Sequence, residues 1–160
     1  MQAIEFKGLR VFADPDATRN SYMSVLSDRG CTCAYCRNIR PQLPDILSED
    51  ISGLLHHFGI DPLKPSESIH SNRHEDGLNL YSVIYHFVGQ LDMSKPVHEI
   101  ATAKGGRDYL TDSVELSDKC SLLFSSAYFP HHKVFDGSNH PYIEIYLDGV
   151  PWVIEPLPES

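Results

Sequence analysis

The most regular hydrophobic pattern in the chain lies between residues 43 and 58. Apolar residues recur there at steps of three and four, which places them on one face of a helix with 3.6 residues per turn. They are Leu43, Ile46, Leu47, Ile51, Leu54, Leu55 and Phe58. Pro44 suits the first turn of a helix, and Gly59 is typical of the residue that ends one. The pattern predicts one main amphipathic helix over about residues 44–58.

The second half of the chain carries patterns typical of strands. Residues 78–91 are apolar on both faces around their centre, as expected of a central strand covered on both sides. Residues 114–129 keep their apolar positions on one parity, which indicates a long strand or two strands joined by a bulge. In residues 142–156, Asp148-Gly149 between two apolar runs predicts a hairpin whose last strand lies at an edge.

Shorter signals complete the predicted architecture. Residues 4–11 indicate a short strand or a bulged pair of strands, and Gly105-Gly106 indicates a hairpin turn. Residues 62–77 are polar and rich in turn-forming residues, so we expect an exposed loop there. Together these elements predict an α+β fold in which the amphipathic helix packs on a mostly antiparallel sheet. We expect a single globular domain over residues 1–160.

Composition and charge narrow the class of protein. The 160 residues are enough to bury a hydrophobic core, and 41% hydrophobic with 22% charged residues argues against disorder. The formal net charge of −9 argues against nucleic acid and anionic membranes as partners, because both require a basic surface. No apolar stretch reaches the ~18 residues of a membrane span, and no secretory signal is visible at the N-terminus. We therefore expect a cytoplasmic protein.

Three of the four cysteines lie within six residues, in the cysteine run RGCTCAYCRNIR at residues 29–40. A Cys-x-x-Cys turn lets the sulfurs of Cys33 and Cys36 converge on one ion, and Cys31 offers a third sulfur. Four cysteines in a reduced compartment indicate free thiols or metal ligands in preference to a disulfide framework, and their number does not choose between these two. Tetrahedral zinc needs a fourth ligand, for which His86 in the most apolar strand is a candidate.

The same run admits other interpretations. Cys33 and Cys36 near a helix N-terminus, with arginines close by, are typical of a thiol–disulfide oxidoreductase in which Cys33 attacks and Cys36 resolves. Alternatively, Arg29, Arg37 and Arg40 form an anion-binding module together with that helix N-terminus. Plain packing is the third interpretation, because free cysteines are often buried as small hydrophobic residues.

Three segments in the middle of the chain resemble a group of small bacterial proteins that has no established activity. The segments are CAYCRN at 33–38, FGIDPLKPSE at 58–67 and YHFVG at 85–89. The group shares a Cys-x-x-Cys-basic-Asn segment that is followed by a Gly-Ile-Asp-Pro-x-Lys turn. The resemblance implies a soluble bacterial protein, and it transfers no catalytic residue.

Common catalytic motifs are missing from the sequence. It contains no Gly-x-Ser-x-Gly, His-Glu-x-x-His or Walker pattern, which removes the commonest hydrolase and nucleotide-binding interpretations. We therefore expect a non-enzymatic binding or interaction domain whose cysteine cluster holds structural zinc. Its partner would be a protein or a small molecule, and the sequence leaves the oligomeric state open.

Overall fold

Ten strands and four short α-helices make up the described part of the chain. The computed structural model describes residues 1–25, 31–102, 105–127, 135 and 140–154. The elements follow in the order β1 (Gln2–Phe6), β2 (Leu9–Ala13), α1 (Pro15–Met23), α2 (Ala34–Ile39), a 3₁₀ helix (Arg40–Gln42), α3 (Leu43–Ile46), α4 (Glu49–His57), β3 (Glu67–Arg73), β4 (Asn79–His86), β5 (Gly89–Leu91), β6 (His98–Ala101), β7 (Arg107–Leu110), β8 (Val114–Ser117), β9 (Cys120–Ser125) and β10 (Tyr142–Val150).

The strands form two sheets. The larger sheet has seven strands in the order β3-β4-β10-β9-β7-β6, with β8 paired to β9, and the smaller sheet has the order β1-β2-β5. Every pairing between the described strands is antiparallel. The predicted α+β class with a mostly antiparallel sheet is therefore confirmed, and the predicted strand pair near the N-terminus is β1 and β2.

The single helix predicted over residues 44–58 is wrong, because this region forms two helices, α3 and α4. Leu47 has an extended backbone with ψ 124°, which ends α3, and Ser48 then caps α4 by accepting a hydrogen bond from the backbone N–H of Ile51. A serine followed by acidic residues is typical of a helix start. The prediction missed this start because the apolar spacing continues unbroken across Ser48. No helix in the described part of the chain is long and apolar enough to cross a membrane.

The exposed loop predicted over residues 62–77 is wrong for residues 67–73. Residues 67–73 form β3, an edge strand of the larger sheet that pairs with β4. A strand at an edge is paired on one side only and tolerates polar side chains. The polar composition of β3 therefore reflects its place in the sheet.

Two turn predictions in the second half also need correction. The chain does not reverse at Asp148-Gly149. Instead β10 continues to Val150 through a register irregularity, with Gly149 at φ +75°. A glycine at positive φ suits a bulge as well as a hairpin turn. Residues 114–129 were predicted to form one long strand or two strands joined by a bulge. In the structure the chain reverses within them, between the antiparallel strands β8 and β9.

The core lies between the helices and the middle strands of the larger sheet. Phe58, directly after α4, contacts Phe87 and Phe124 with ring centroids 4.7 and 5.7 Å apart. Seven of the eight residues of β4 are buried, which confirms residues 78–91 as the source of a central strand. The helix α2 lies against β3 at the edge of this sheet, and it carries the cysteine run there.

Candidate metal centre

The sulfur atoms of Cys31, Cys33 and Cys36 lie together, all within 4.8 Å of one another. Ligands around tetrahedral zinc sit at about 2.3 Å from the ion, so neighbouring sulfurs are then about 3.8 Å apart. Small rotations of the cysteine side chains would bring the sulfur atoms to the spacing of a tetrahedral zinc site. Cys31 and Cys33 are exposed and Cys36 is buried. Exposure at two of the three positions argues against packing as the reason for the cluster.

The start of α2 brings two of the sulfurs together. Cys33 is the N-cap residue with an extended backbone at ψ 161°, and Cys36 lies in the first turn of the helix. Positions three residues apart across a helix start face each other, as in a capping box. The backbone N–H of Cys33 also lies 3.5 Å from the sulfur of Cys31 and donates to it. Local backbone geometry therefore builds the cluster from six consecutive residues.

Two arginines hold the cysteine run in place. The Nε of Arg37 donates to the carbonyl oxygen of Thr32 at 3.0 Å, and Nη2 of Arg40 donates to the carbonyl oxygen of Cys31 at 2.8 Å. These hydrogen bonds tie both guanidinium groups to the backbone of the cysteine run. Arg29, the third arginine of the proposed anion-binding module, lies outside the described residues, so that alternative stays a prediction.

The environments of Cys33 and Cys36 move their pKa values in opposite directions. Partial burial acts to raise the pKa of Cys33, but the nearby backbone N–H groups of Cys36 and Tyr35 and the neighbouring thiols favour its thiolate and lower the net pKa. Burial is the largest cause that raises the pKa of Cys36 well above its ordinary value. The Cys36 thiol, 3% exposed, lies 3.5 Å from the carbonyl oxygen of Ser68 and donates to it.

His86 lies in a different setting from the one predicted for a fourth ligand. Its Nδ1 is 2.8 Å from the hydroxyl of Ser66, and its ring contacts Tyr142 with centroids 5.3 Å apart. Among the described residues, the cluster of potential metal ligands contains three cysteines and neither His86 nor another histidine or carboxylate. The structure therefore gives no support to His86 as a zinc ligand.

The fourth cysteine stands apart from the cluster. Cys120 is half-buried at the start of β9, where it packs against the hydrophobic core. Burial raises the pKa of its thiol. This position agrees with the apolar parity of residues 114–129, and it makes Cys120 a natural control in experiments on the other three.

A group of aromatic side chains packs around Tyr35, which lies in the cysteine run. The ring of Tyr35, which lies between Cys33 and Cys36 in the sequence, stacks on His70 with centroids 4.2 Å apart and meets the edge of Trp152 at 5.8 Å. The hydroxyl of Tyr81 donates to the carbonyl oxygen of Tyr35 at 2.9 Å. Sequence reasoning missed this group, because its members lie far apart in the chain and His70 was assigned to a loop.

The comparisons with known proteins add no further assignment. No family model matches the chain, and no curated protein or solved structure is significantly similar to it. The resemblance to a group of bacterial proteins remains a prediction. The chemistry of the cysteine cluster is therefore the basis for assigning a function to this protein.

Proposed function

We propose that this protein is a non-enzymatic zinc-binding domain in which Cys31, Cys33 and Cys36 ligate one Zn²⁺. The observation that carries this proposal is the convergence of three sulfur atoms within 4.8 Å on an accessible segment. Thiolates are preferred ligands of Zn²⁺ and Cu⁺, whereas Mg²⁺ and Ca²⁺ prefer oxygen. No carboxylate belongs to the cluster among the described residues, so the ligand chemistry selects a thiophilic ion.

The charges beside the site suit a metal thiolate. Three thiolates around one divalent cation leave one negative charge. Arg37 and Arg40 both donate to carbonyl oxygens of the same run, so two cationic side chains belong to this segment. Their guanidinium cations compensate the excess negative charge. The arginines therefore support thiolate ligation as well as the conformation of the run.

The exposed side of the cluster supplies the fourth coordination position. Cys31 and Cys33 face solvent, so a water molecule or a side chain of a partner protein can reach a metal ion held there. A closed structural zinc site has four protein ligands, whereas a site with three keeps one position open. An open position would let a partner bind directly to the metal, which agrees with the proposed role as an interaction domain.

Metal analysis of the protein purified without added metal tests this proposal directly. We expect about one equivalent of zinc per chain in the wild type. The Cys36→Ser variant should lose most of it, whereas Cys120→Ser should keep it because Cys120 lies outside the cluster. Less than about a tenth of an equivalent in wild type would contradict the proposal.

Titration with Co²⁺ tests the identity of the ligands. Sulfur-to-cobalt charge transfer should appear in wild type and in Cys120→Ser, and it should weaken in each single serine variant of the three clustered cysteines. Trp152 provides a second signal, because it is the only tryptophan in the chain and it contacts Tyr35 between two of the ligands. Its fluorescence should change with saturation at one equivalent. Equal charge transfer in all variants would exclude the cluster as the metal site.

A further inference from the structure

We propose that Cys33 and Cys36 also act as a reversible dithiol switch, which closes to a disulfide by exchange with a low-molecular-weight disulfide and thereby expels the metal. The disulfide half of this proposal depends on the geometry of α2 and on the different exposure of Cys33 and Cys36. The metal-release half rests on the proposed zinc site. The two halves are tested separately below.

The start of α2 places the pair at a separation that a disulfide can bridge. Residues three apart on a helical turn have Cα atoms about 5 Å apart, inside the range of about 4.4–6.8 Å that disulfides span. The sulfurs of Cys33 and Cys36 already lie within 4.8 Å of each other. Side-chain rotation, without a change in the fold, therefore closes most of the distance to a bond.

Exposure divides the roles between the two cysteines. Cys33 is exposed at the tip of the helix, so a small disulfide can reach its sulfur. Cys36 is 3% exposed and lies against the carbonyl oxygen of Ser68, so solvent reagents cannot reach it first. Cys33 therefore reacts with the external disulfide, and Cys36 completes the exchange from inside the protein.

The reaction balances with a disulfide R–S–S–R as the oxidant. The Cys33 thiolate attacks one sulfur, which forms a Cys33–S–S–R bond, breaks the R–S–S–R bond and releases the first RS⁻. The Cys36 thiol loses its proton to solvent, and its sulfur attacks that of Cys33, which forms the Cys33–Cys36 bond and releases the second RS⁻. Two electrons pass from the protein to the reagent, which is reduced to two thiols.

Oxidation removes two of the three proposed metal ligands. Disulfide sulfurs are neutral, and the thiolate is the form that binds metal. Cys31 alone would remain as a ligand, and one exposed thiolate cannot retain a zinc ion against a chelator. The metal-bound and disulfide states of the cluster are therefore mutually exclusive, and reduction by a thiol restores the site.

The first experiment uses metal-free protein and oxidised glutathione as the probe. After acid quenching and alkylation, mass spectrometry should show a Cys33–Cys36 disulfide in wild type, in Cys31→Ser and in Cys120→Ser. Cys36→Ser should stop at the glutathione adduct of Cys33, and Cys33→Ser should form no adduct at position 36. A disulfide that involves Cys31, or equal reactivity of Cys36 in Cys33→Ser, would overturn the proposal.

Folding of the variants is checked in the same samples. Circular dichroism of each variant should match wild type, and Cys36→Ala replaces Cys36→Ser if the buried hydroxyl disturbs α2. Reaction at the rate of global unfolding, measured by alkylation of Cys120 in denaturant, would also overturn the proposal, because the thiols would then react only in the unfolded chain.

The second experiment loads the protein with zinc and adds oxidised glutathione in the presence of a chromogenic chelator. Zinc should leave at the rate at which the disulfide forms, and it should return after reduction. A zinc-loaded protein that forms no disulfide would refute the switch and leave the zinc proposal intact. A disulfide in a protein that never binds zinc would refute the zinc proposal and leave the exchange reaction intact.

Discussion

Asn38 in α2 links the cysteine run to the end of β10. Its side chain is fully buried, and its amide donates to the carbonyl oxygen of Pro151 at 3.1 Å while its oxygen accepts from the backbone N–H of Val153 at 2.8 Å. Buried polar groups are costly unless they are hydrogen-bonded. One residue therefore fixes both the helix that carries two of the proposed ligands and the segment that carries Trp152.

The Asn38→Ala variant tests this link. It removes the hydrogen bonds that the fully buried amide makes to Pro151 and Val153, and we expect a loss of about 1–3 kcal/mol in the free energy of unfolding. Gln42→Ala is the matched control, because the half-buried Gln42 donates to the same Pro151 oxygen at 3.1 Å. Its cost should stay below about 1 kcal/mol. Chemical denaturation measures both, and equal losses would contradict the special role of Asn38.

At the scale of elements, the backbone conformation of two residues sets where helices α3 and α4 end. Leu47, whose backbone is extended, separates α3 from α4. Gly59, at φ +81°, follows the end of α4. A Cβ atom at Gly59 would lie 2.2 Å from the backbone oxygen of Pro15, at the start of α1. The chain therefore needs glycine there for two reasons, positive φ and close approach of another helix.

The Gly59→Ala and Gly53→Ala variants form a matched pair that tests this requirement. Gly59→Ala must strain the backbone and displace α1, so we expect a loss of about 2–4 kcal/mol in the free energy of unfolding. Gly53 lies on the exposed side of α4 with no atom near an added Cβ. Its replacement should stabilise the protein by about 0.5–1 kcal/mol, because alanine favours the helix. Thermal unfolding distinguishes the two, and similar effects would contradict the argument.

At the scale of the whole molecule, the cysteine cluster and the hydrophobic core differ in how much of the chain builds them. The three sulfurs come from six consecutive residues, whereas the core joins helices and strands from both halves of the chain. A metal bound to one short segment closes only a short loop, and the same segment can still bind metal in the unfolded chain. Zinc should therefore stabilise the conformation of the cysteine run. The sheets should stay folded without zinc, because the hydrophobic core stabilises them.

Removal of the metal from purified protein should leave the fold in place. We expect the far-ultraviolet circular dichroism to remain unchanged after chelation, with a small decrease in Tm and a change in Trp152 fluorescence. Cys33→Ser should behave like the chelated wild type. Loss of secondary structure after chelation would show that the metal stabilises the whole molecule, as in zinc fingers.

The sequence alone determined which residues are buried in the helical region, where most strands lie and which thiols share one segment. These features follow from short-range periodicity and spacing, which the chain carries locally. Neither α1 nor α2 was predicted, because the amphipathic pattern indicated one helix, over residues 44–58.

Only the tertiary structure decided the remaining features. It made residues 67–73 a strand, because β4 supplies the backbone partners that a polar edge needs. It carried β10 through Gly149, because Val150 still pairs with Asn79 of β4 beyond the register irregularity. It also buried Cys36 against β3 and left Cys33 exposed. Each of these outcomes depends on contacts between residues distant in sequence, which local patterns do not encode.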